Sequence, residues 1–126
     1  MKRLLTRLRE AFSLPRETRE VAWDDAGFEV REHGRVLVRV QWQDIREIFA
    51  YKEDRFTVDD ICLGFRARED DIFYMVSEDF VGYRPFLTHL EQRFSGIRTD
   101  WFSEVAFPAF EPNRTTLWGE PPAKHT

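Results

Sequence analysis

The residues of this chain with the most evident chemical potential stand near its C-terminal end, where Asn113-Arg114-Thr115-Thr116 lies between Phe110 and Trp118. Two aromatic anchors would hold the segment down. An amide, a guanidinium and hydroxyls in a row then offer donors that could converge on a carboxylate or phosphate. Asn113, Arg114 and Thr115 are therefore candidates for binding an anionic ligand. The commoner use of such donors is to satisfy the backbone of an irregular, partly buried segment. A second group is acidic: Asp54, Asp59 and Asp60 surround one predicted turn, and Glu69-Asp70-Asp71 make another. Carboxylates hold a hard cation or share a catalytic proton when their oxygens converge, and in exposed turns they are ordinarily just solvated. Lys52 and Asp54 have the same strand parity and could pair across one face. Lys52, Asp54 and Asp59 join the candidate ligand-binding residues on that basis.

The other reactive side chains argue against familiar catalytic machinery. His33 falls in a turn, His89 on the polar side of a predicted helix and His125 near the end of the chain, with no pair at metal-ligand spacing. Cys62, the single cysteine, sits in an alternating stretch without a Cys-His signature and reads as a buried thiol. The chain contains no G-x-S-x-G, no phosphate-cradling glycine loop and no H-E-x-x-H. No catalytic residue, metal ligand or cofactor is expected, and an enzyme of unusual class stands as one alternative.

The elements that must position these residues follow from length and patterning. The 126 residues suit one domain, and at this size folding buries roughly two-thirds of the surface of the extended chain. Hydrophobic residues make up 42% and aromatic residues 15%, too many for a disordered chain, while a mean hydropathy of −0.53 indicates a wet exterior. No apolar run approaches the ~18 residues of a membrane span. A lone cysteine, unable to form an internal disulfide, fits a reducing, cytoplasmic setting. From Glu20 onward the pattern alternates. Glu20–Trp23, Phe28–Arg31, Val36–Trp42, Ile45–Tyr51, Ile61–Arg68 and Ile72–Val76 read as six short strands joined by turns, among them His33-Gly34 and Lys52–Arg55. Gly64 marks either a close approach to the backbone or a bulge, the bulge being the usual case, and Ile72–Val76 reads as covered on both faces. Tyr83, Phe86, Leu87, Leu90 and Phe94 then return to helical spacing, with Pro85 in the first turn and Gly96 past the end. The expected fold is α+β, a bent antiparallel meander or partial barrel of about six strands with a C-terminal capping helix. Residues 20–96 form its body. Residues 97–126 carry Trp101, Phe102, Phe107, Phe110 and Trp118, so they are expected to lie over the body, with a possible turn at Asp100–Val105 and mobility only at the end.

The first nineteen residues differ in kind. Lys2, Arg3, Arg7, Arg9, Arg16 and Arg19 outweigh Glu10 and Glu17 to give +4, against −4 for the chain, so the remainder carries −8. An acidic body repels phosphate and disfavours nucleic acid as a partner. Arg7, Arg9 and Glu10 break the apolar stretch that a secretory signal requires. Met1, Leu4, Leu5, Leu8 and Phe12 instead line one stripe of a helix that stops at Ser13-Leu14-Pro15. Such an arm could lie on an anionic membrane through Leu4, Leu5, Leu8 and Phe12 with Arg3 and Arg7 at the headgroups, or contact a partner. The commoner outcome is burial of the stripe on the chain's own domain.

Two resemblances bear on the fold. The run Val40-Gln41-Trp42-Gln43-Asp44-Ile45, in the order of elements from Glu20 to Gly96, resembles bacterial pleckstrin-homology-like domains. That resemblance implies a seventh strand, which would come from Asp100–Trp118 or from a misplaced break. Trp42-x-Asp44-Ile45, Ala50-Tyr51-Lys52-x-Asp54, Asp60-Ile61-Cys62-Leu63-x-Phe65 and Phe107-Pro108-x-Phe110-x-x-Asn113-Arg114-Thr115 together are similar to a family of uncharacterised bacterial proteins, which implies no activity. The aromatic excess without catalytic signatures leads to the expectation of a cytoplasmic binding module for a protein or peptide, by strand addition among other modes. The alternatives are peripheral membrane association through the arm and a small-molecule enzyme.

Overall fold

The computed structural model describes residues 18–55, 58–67, 72–107 and 113–122, the side chains of Asp54 and Arg55 excepted. The first three strands form an antiparallel sheet in chain order, β1 (Arg19–Trp23), β2 (Gly27–Glu32) and β3 (Arg35–Gln41). Both connections are tight for local reasons. The Asp24 carboxylate accepts the backbone N–H groups of Ala26 and Gly27 at 2.9 and 3.0 Å, an Asx turn that reverses the chain. His33 and Gly34 both have positive φ, 50° and 81°, the two-residue geometry that matches strand twist. A single 3-10 turn, Trp42–Asp44, then carries the chain out of this sheet, fixed by the Trp42 indole N–H donating to the Asp24 carbonyl at 2.8 Å.

The second sheet contains β4 (Glu47–Arg55), β5 (Val58–Arg66), β6 (Tyr74–Ser77) and β7 (Thr115–Gly119), ordered β6-β5-β4-β7 with every pairing antiparallel. Between β6 and β7 come helix α1 (Tyr83–Arg93) and the short helix α2 (Phe102–Ala106). The seven described strands remain in two sheets, and no barrel closes among them.

The core lies where the two sheets and α1 meet. Phe28 of β2, Phe65 of β5 and Phe86 of α1 are all fully buried, with ring centroids 4.7 Å apart for Phe28–Phe65, 5.2 Å for Phe28–Phe86 and 5.8 Å for Phe65–Phe86. Each such ring contributes about 1.5–3 kcal/mol of burial, and the triangle ties three elements together. Trp101, Val105 and Leu117 extend the same core from the C-terminal segment.

Several expectations are corrected here. The expected overlay of residues 97–126 includes a true strand, since β7 hydrogen-bonds along β4 and so brings the count to seven. Lys52–Arg55, expected to be a turn, continues β4, because the pairing with β5 runs unbroken to Arg55 opposite Val58. Ile45, expected to open the strand, lies outside β4, and the pairing of β4 with β7 shifts register between Ile48 and Phe49. Gly64 is not a bulge: it pairs in register with Phe49, whose ring occupies the space a β-carbon would need. Strand β6 is an edge strand beginning at Tyr74, and Ile72 and Phe73 are exposed rather than covered on both faces. The valines of β3 are buried only toward its end, with Val40 in the core and Val36 54% exposed.

Candidate functional site

The candidate donors of the C-terminal segment do converge on a carboxylate, and it belongs to this chain. Arg114 donates to Glu47 in bidentate fashion, Nη2 to Oε1 at 2.7 Å and Nη1 to Oε2 at 2.9 Å. Thr116 Oγ1 donates to Oε2 at 2.7 Å, and Arg66 Nε approaches Oε1 at 3.2 Å from the opposite strand. The register makes this inevitable. Glu47 faces Arg66 across the β4–β5 pair, and β7 runs beside β4 on its other edge. Glu47 is fully buried, which pushes its carboxyl up, but the hydrogen bonds from Arg114, Thr116 and Arg66 more than offset this and hold it below the ordinary glutamate value. The Arg114 guanidinium also lies 3.7 Å above the Phe49 ring. Asn113, in the left-handed region at φ 43°, donates its amide to the Phe107 carbonyl at 3.0 Å, and Thr115 Oγ1 donates to the Asn113 carbonyl at 3.2 Å. Asn113, Arg114 and Thr115 therefore seat β7 and the chain around it.

Lys52 is buried as well. Its Nζ donates to the Ala106 carbonyl at the end of α2 at 2.9 Å and lies 3.5 Å from Asp59 Oδ2. One described partner is thus Asp59 on β5, diagonally across the ladder, while the expected pairing with Asp54 involves a side chain that lies outside the described residues. Asp60, expected in an exposed turn, is buried, with Ser77 Oγ 2.9 Å from each of its carboxylate oxygens. Cys62 is fully buried, as its alternating setting suggests.

An unforeseen cleft of about 410 Å³ opens between α1 and the start of α2. Ile61, Leu87 and Trp101 contribute apolar surface, and Trp101 itself is buried while its neighbour Phe102 is 51% exposed. Glu78, Asp79 and Glu91 supply three carboxylates to the lining, against one cation, Arg84. Asp60, Glu78 and Asp79 each place one oxygen within 4.8 Å of the others. Desolvation, followed by the charges of Asp60 and Asp79, raises the Glu78 carboxyl above its ordinary value. The site is thus strongly electronegative beside apolar walls. Its residues come from β5, the β6–α1 connection, α1, the α1–α2 connection and the first residue of α2, and no single stretch of sequence announces it.

A second cleft, of about 420 Å³, lies at the other end of α1 between Asp25, Trp42 and Arg93. Its aromatic floor is already in use. The Arg93 guanidinium stands 4.9 Å from the Trp42 ring centroid and donates through Nε to His89 Nε2 at 3.2 Å, while His89 stacks on Trp23 at 5.6 Å. Burial and then Arg93 lower the His89 pKa. His89, expected on the polar side of the helix, is half-buried between two tryptophans.

Neither cleft is lined by Lys52, Asp59 or Arg114. The arm residues Arg3, Leu4, Leu5, Arg7, Leu8 and Phe12 lie outside the described residues. Glu47 and Arg66, which sequence reasoning missed, stand at the first position of β4 and the last of β5, where a charged residue reads as an ordinary strand end, whereas Thr116 belongs to the donor quartet singled out from the sequence. Comparison of the chain with protein-family models, curated proteins and solved structures finds no match.

Proposed function

We propose that the domain is a cytoplasmic binding module that takes a basic, partly apolar peptide segment of a protein partner in the cleft between α1 and α2. The carrying observation is the composition of that cleft, with three carboxylates beside Leu87, Trp101 and the exposed ring of Phe102. Its volume falls within the roughly 300–1,000 Å³ of small-ligand pockets, and an apolar wall with a few charged groups is the usual arrangement for orienting a side chain. A lysine or arginine would place its stem against Leu87 and Trp101 and its charge among Glu78, Asp79 and Glu91. The acidic body would speed the encounter with such a partner.

Strand addition has a site of its own at the β3 edge, where Val36 is 54% and Leu37 44% exposed. Arg35 and Arg39 flank that pair, and charged residues on an edge discourage pairing with a second chain. The cleft is the better-supported site for this reason. We read the architecture as a variant of the pleckstrin-homology-like fold. Seven antiparallel strands in two sheets and one amphipathic helix support this, although β7 follows the helix. We also keep the reading that the motifs Trp42-x-Asp44-Ile45, Ala50-Tyr51-Lys52-x-Asp54 and Asp60-Ile61-Cys62-Leu63-x-Phe65, which lie at the Trp42–Asp44 turn, β4 and β5, are those of a family of uncharacterised bacterial proteins, a reading that adds no activity.

Selection from a display library of random peptides tests the proposal. Enrichment of lysine or arginine next to aliphatic residues is expected, with at least about tenfold weaker binding to the chain carrying Glu78→Gln, Asp79→Asn and Glu91→Gln. Enrichment that these substitutions leave unchanged, or enrichment of acidic peptides, contradicts it.

A further inference from the structure

Three carboxylates gather beside the α1–α2 cleft, and the backbone holds them there. The Glu78 N–H donates to the Ile61 carbonyl at 2.9 Å, which ties the residue after β6 to β5. Ser77 Oγ accepts the Asp79 N–H at 3.0 Å and stands 2.9 Å from each carboxylate oxygen of Asp60. One oxygen from each of Asp60, Glu78 and Asp79 then lies within 4.8 Å of the other two. Among the described residues neither Glu78 nor Asp79 forms an ion pair, so Arg84, the one cation in the lining, neutralises neither by contact. Tyr83 stands with them. It lines the cleft, it is 7% exposed, and among the described residues its hydroxyl has no hydrogen-bond partner, although a buried hydroxyl is normally paired. Burial and then the charge of Glu78 raise that hydroxyl above the ordinary tyrosine value, with Asp60 contributing, which puts it among the same carboxylates.

We propose that Asp60, Glu78, Asp79 and Tyr83 form a subsite for a primary ammonium group, that of a lysine in the bound peptide, and that it selects lysine over arginine. The subsite rests on the proposed function above, in which the cleft takes a basic segment, and it fixes which base is taken. Three oxygens no more than 4.8 Å apart share a centre whose distance to each is at most that side divided by √3, about 2.8 Å, the length of a charge-assisted N–H···O bond. A single nitrogen fits there. Glu78, Asp79 and the Tyr83 hydroxyl take its three N–H groups, and Asp60 adds charge from behind them. A guanidinium spreads five N–H groups over a flat fork, which matches the edge of one carboxylate instead. Calcium and magnesium take shorter contacts, about 2.3–2.6 and 2.0–2.1 Å, from carboxylates, carbonyls and water, and would leave the hydroxyl unused. Ile61, Leu87 and Trp101 give the four-carbon stem of lysine an apolar wall.

Titration of isotope-labelled full chain tests the subsite. A peptide of alternating lysine and leucine is expected to bind at least about tenfold more tightly than its arginine and leucine counterpart. Tyr83→Phe keeps the ring in the core and is expected to weaken the lysine peptide about fivefold or more while leaving the arginine peptide unchanged. Equal affinities, a preference for arginine, or a lysine preference that survives Tyr83→Phe overturns the subsite and leaves the reading of the cleft intact. The chlorides of n-butylammonium and n-butylguanidinium supply an arm that needs neither peptide nor variant. Where neither peptide binds, movement of the Glu78, Asp79 and Trp101 signals with the ammonium and not the guanidinium supports the subsite and refutes the peptide reading, and no movement refutes both. A response of Glu78 and Asp79 to calcium chloride, with none to butylammonium or to the lysine peptide, overturns the subsite in favour of a metal.

Discussion

Replacing Glu47 with alanine removes the carboxylate on which β4, β5 and β7 are joined, and the structure sets the scale of the loss. The Arg66 side chain is 6% exposed, so its charge stays buried when the Glu47 carboxylate 3.2 Å away is removed. Removing one partner of a buried pair in this way costs about 3–5 kcal/mol. Arg114 adds little to that figure, because its side chain is 39% exposed and can turn to water. Arg114→Ala leaves Glu47 paired with Arg66 and Thr116 and should therefore cost less, about 2 kcal/mol for a charge-assisted bidentate contact and its position over Phe49. Against a total stability of about 5–15 kcal/mol both effects are readily measured. Urea unfolding followed by circular dichroism is the assay, with the midpoint falling and the slope unchanged. Acid sharpens the test. The folded carboxyl lies below its ordinary value, so its contribution is complete above that value and is lost as the pH falls through the folded one. The difference between wild type and Glu47→Gln should accordingly narrow in acid. A loss below about 1 kcal/mol for Glu47→Ala, or a larger loss for Arg114→Ala than for Glu47→Ala, would refute the reasoning.

Three further outcomes are expected. Gly64→Ala drives a β-carbon into the Phe49 ring and should cost about 1–3 kcal/mol, with Phe49→Leu in the same chain recovering part of it; additive losses in the double variant would contradict the contact. His33→Asn retains a side chain tolerant of the left-handed region at φ 50° and should raise the unfolding midpoint by the equivalent of about 0.5 kcal/mol, whereas a lowered midpoint would contradict the turn geometry. The folded pKa of His89 is depressed by burial and Arg93, so stability should decline as the pH drops below the ordinary histidine value of about 6.5 and level off below the folded one. His89→Gln should remove that part of the slope, and thermal melts across this pH range will detect it.

Much of the fold is legible because it rests on local rules. The His33-Gly34 turn, the alternation of β2 and β5 and the α1 stripe of Tyr83, Phe86 and Leu90 each depend on neighbours within a few residues. The site features are not local. Glu47 reads as an ordinary solvent-facing strand residue until Arg66, Arg114 and Thr116 are brought to it from distant positions. Lys52 looks like a turn residue beside Asp54, and only α2, arriving with Ala106, reveals its burial. Gly64 offers sequence reasoning two readings, and the identity of the ring across the ladder decides between them. The Glu78–Glu91 cleft was illegible for the same reason, since Glu91 reads as an ordinary charge on the wet side of a helix and Trp101 only as a ring that must lie somewhere over the body.

The chain has four tryptophans, and in this account only Trp101 stands in the binding cleft. Titrating isotope-labelled full chain with a peptide of alternating lysine and leucine, while following the four indole N–H signals, tests the proposed function most directly. The account predicts that the Trp101 signal moves in a salt-sensitive manner while those of Trp23, Trp42 and Trp118 hold still. Movement of Trp42 with Trp101 unchanged, or no movement at any of the four, would contradict it.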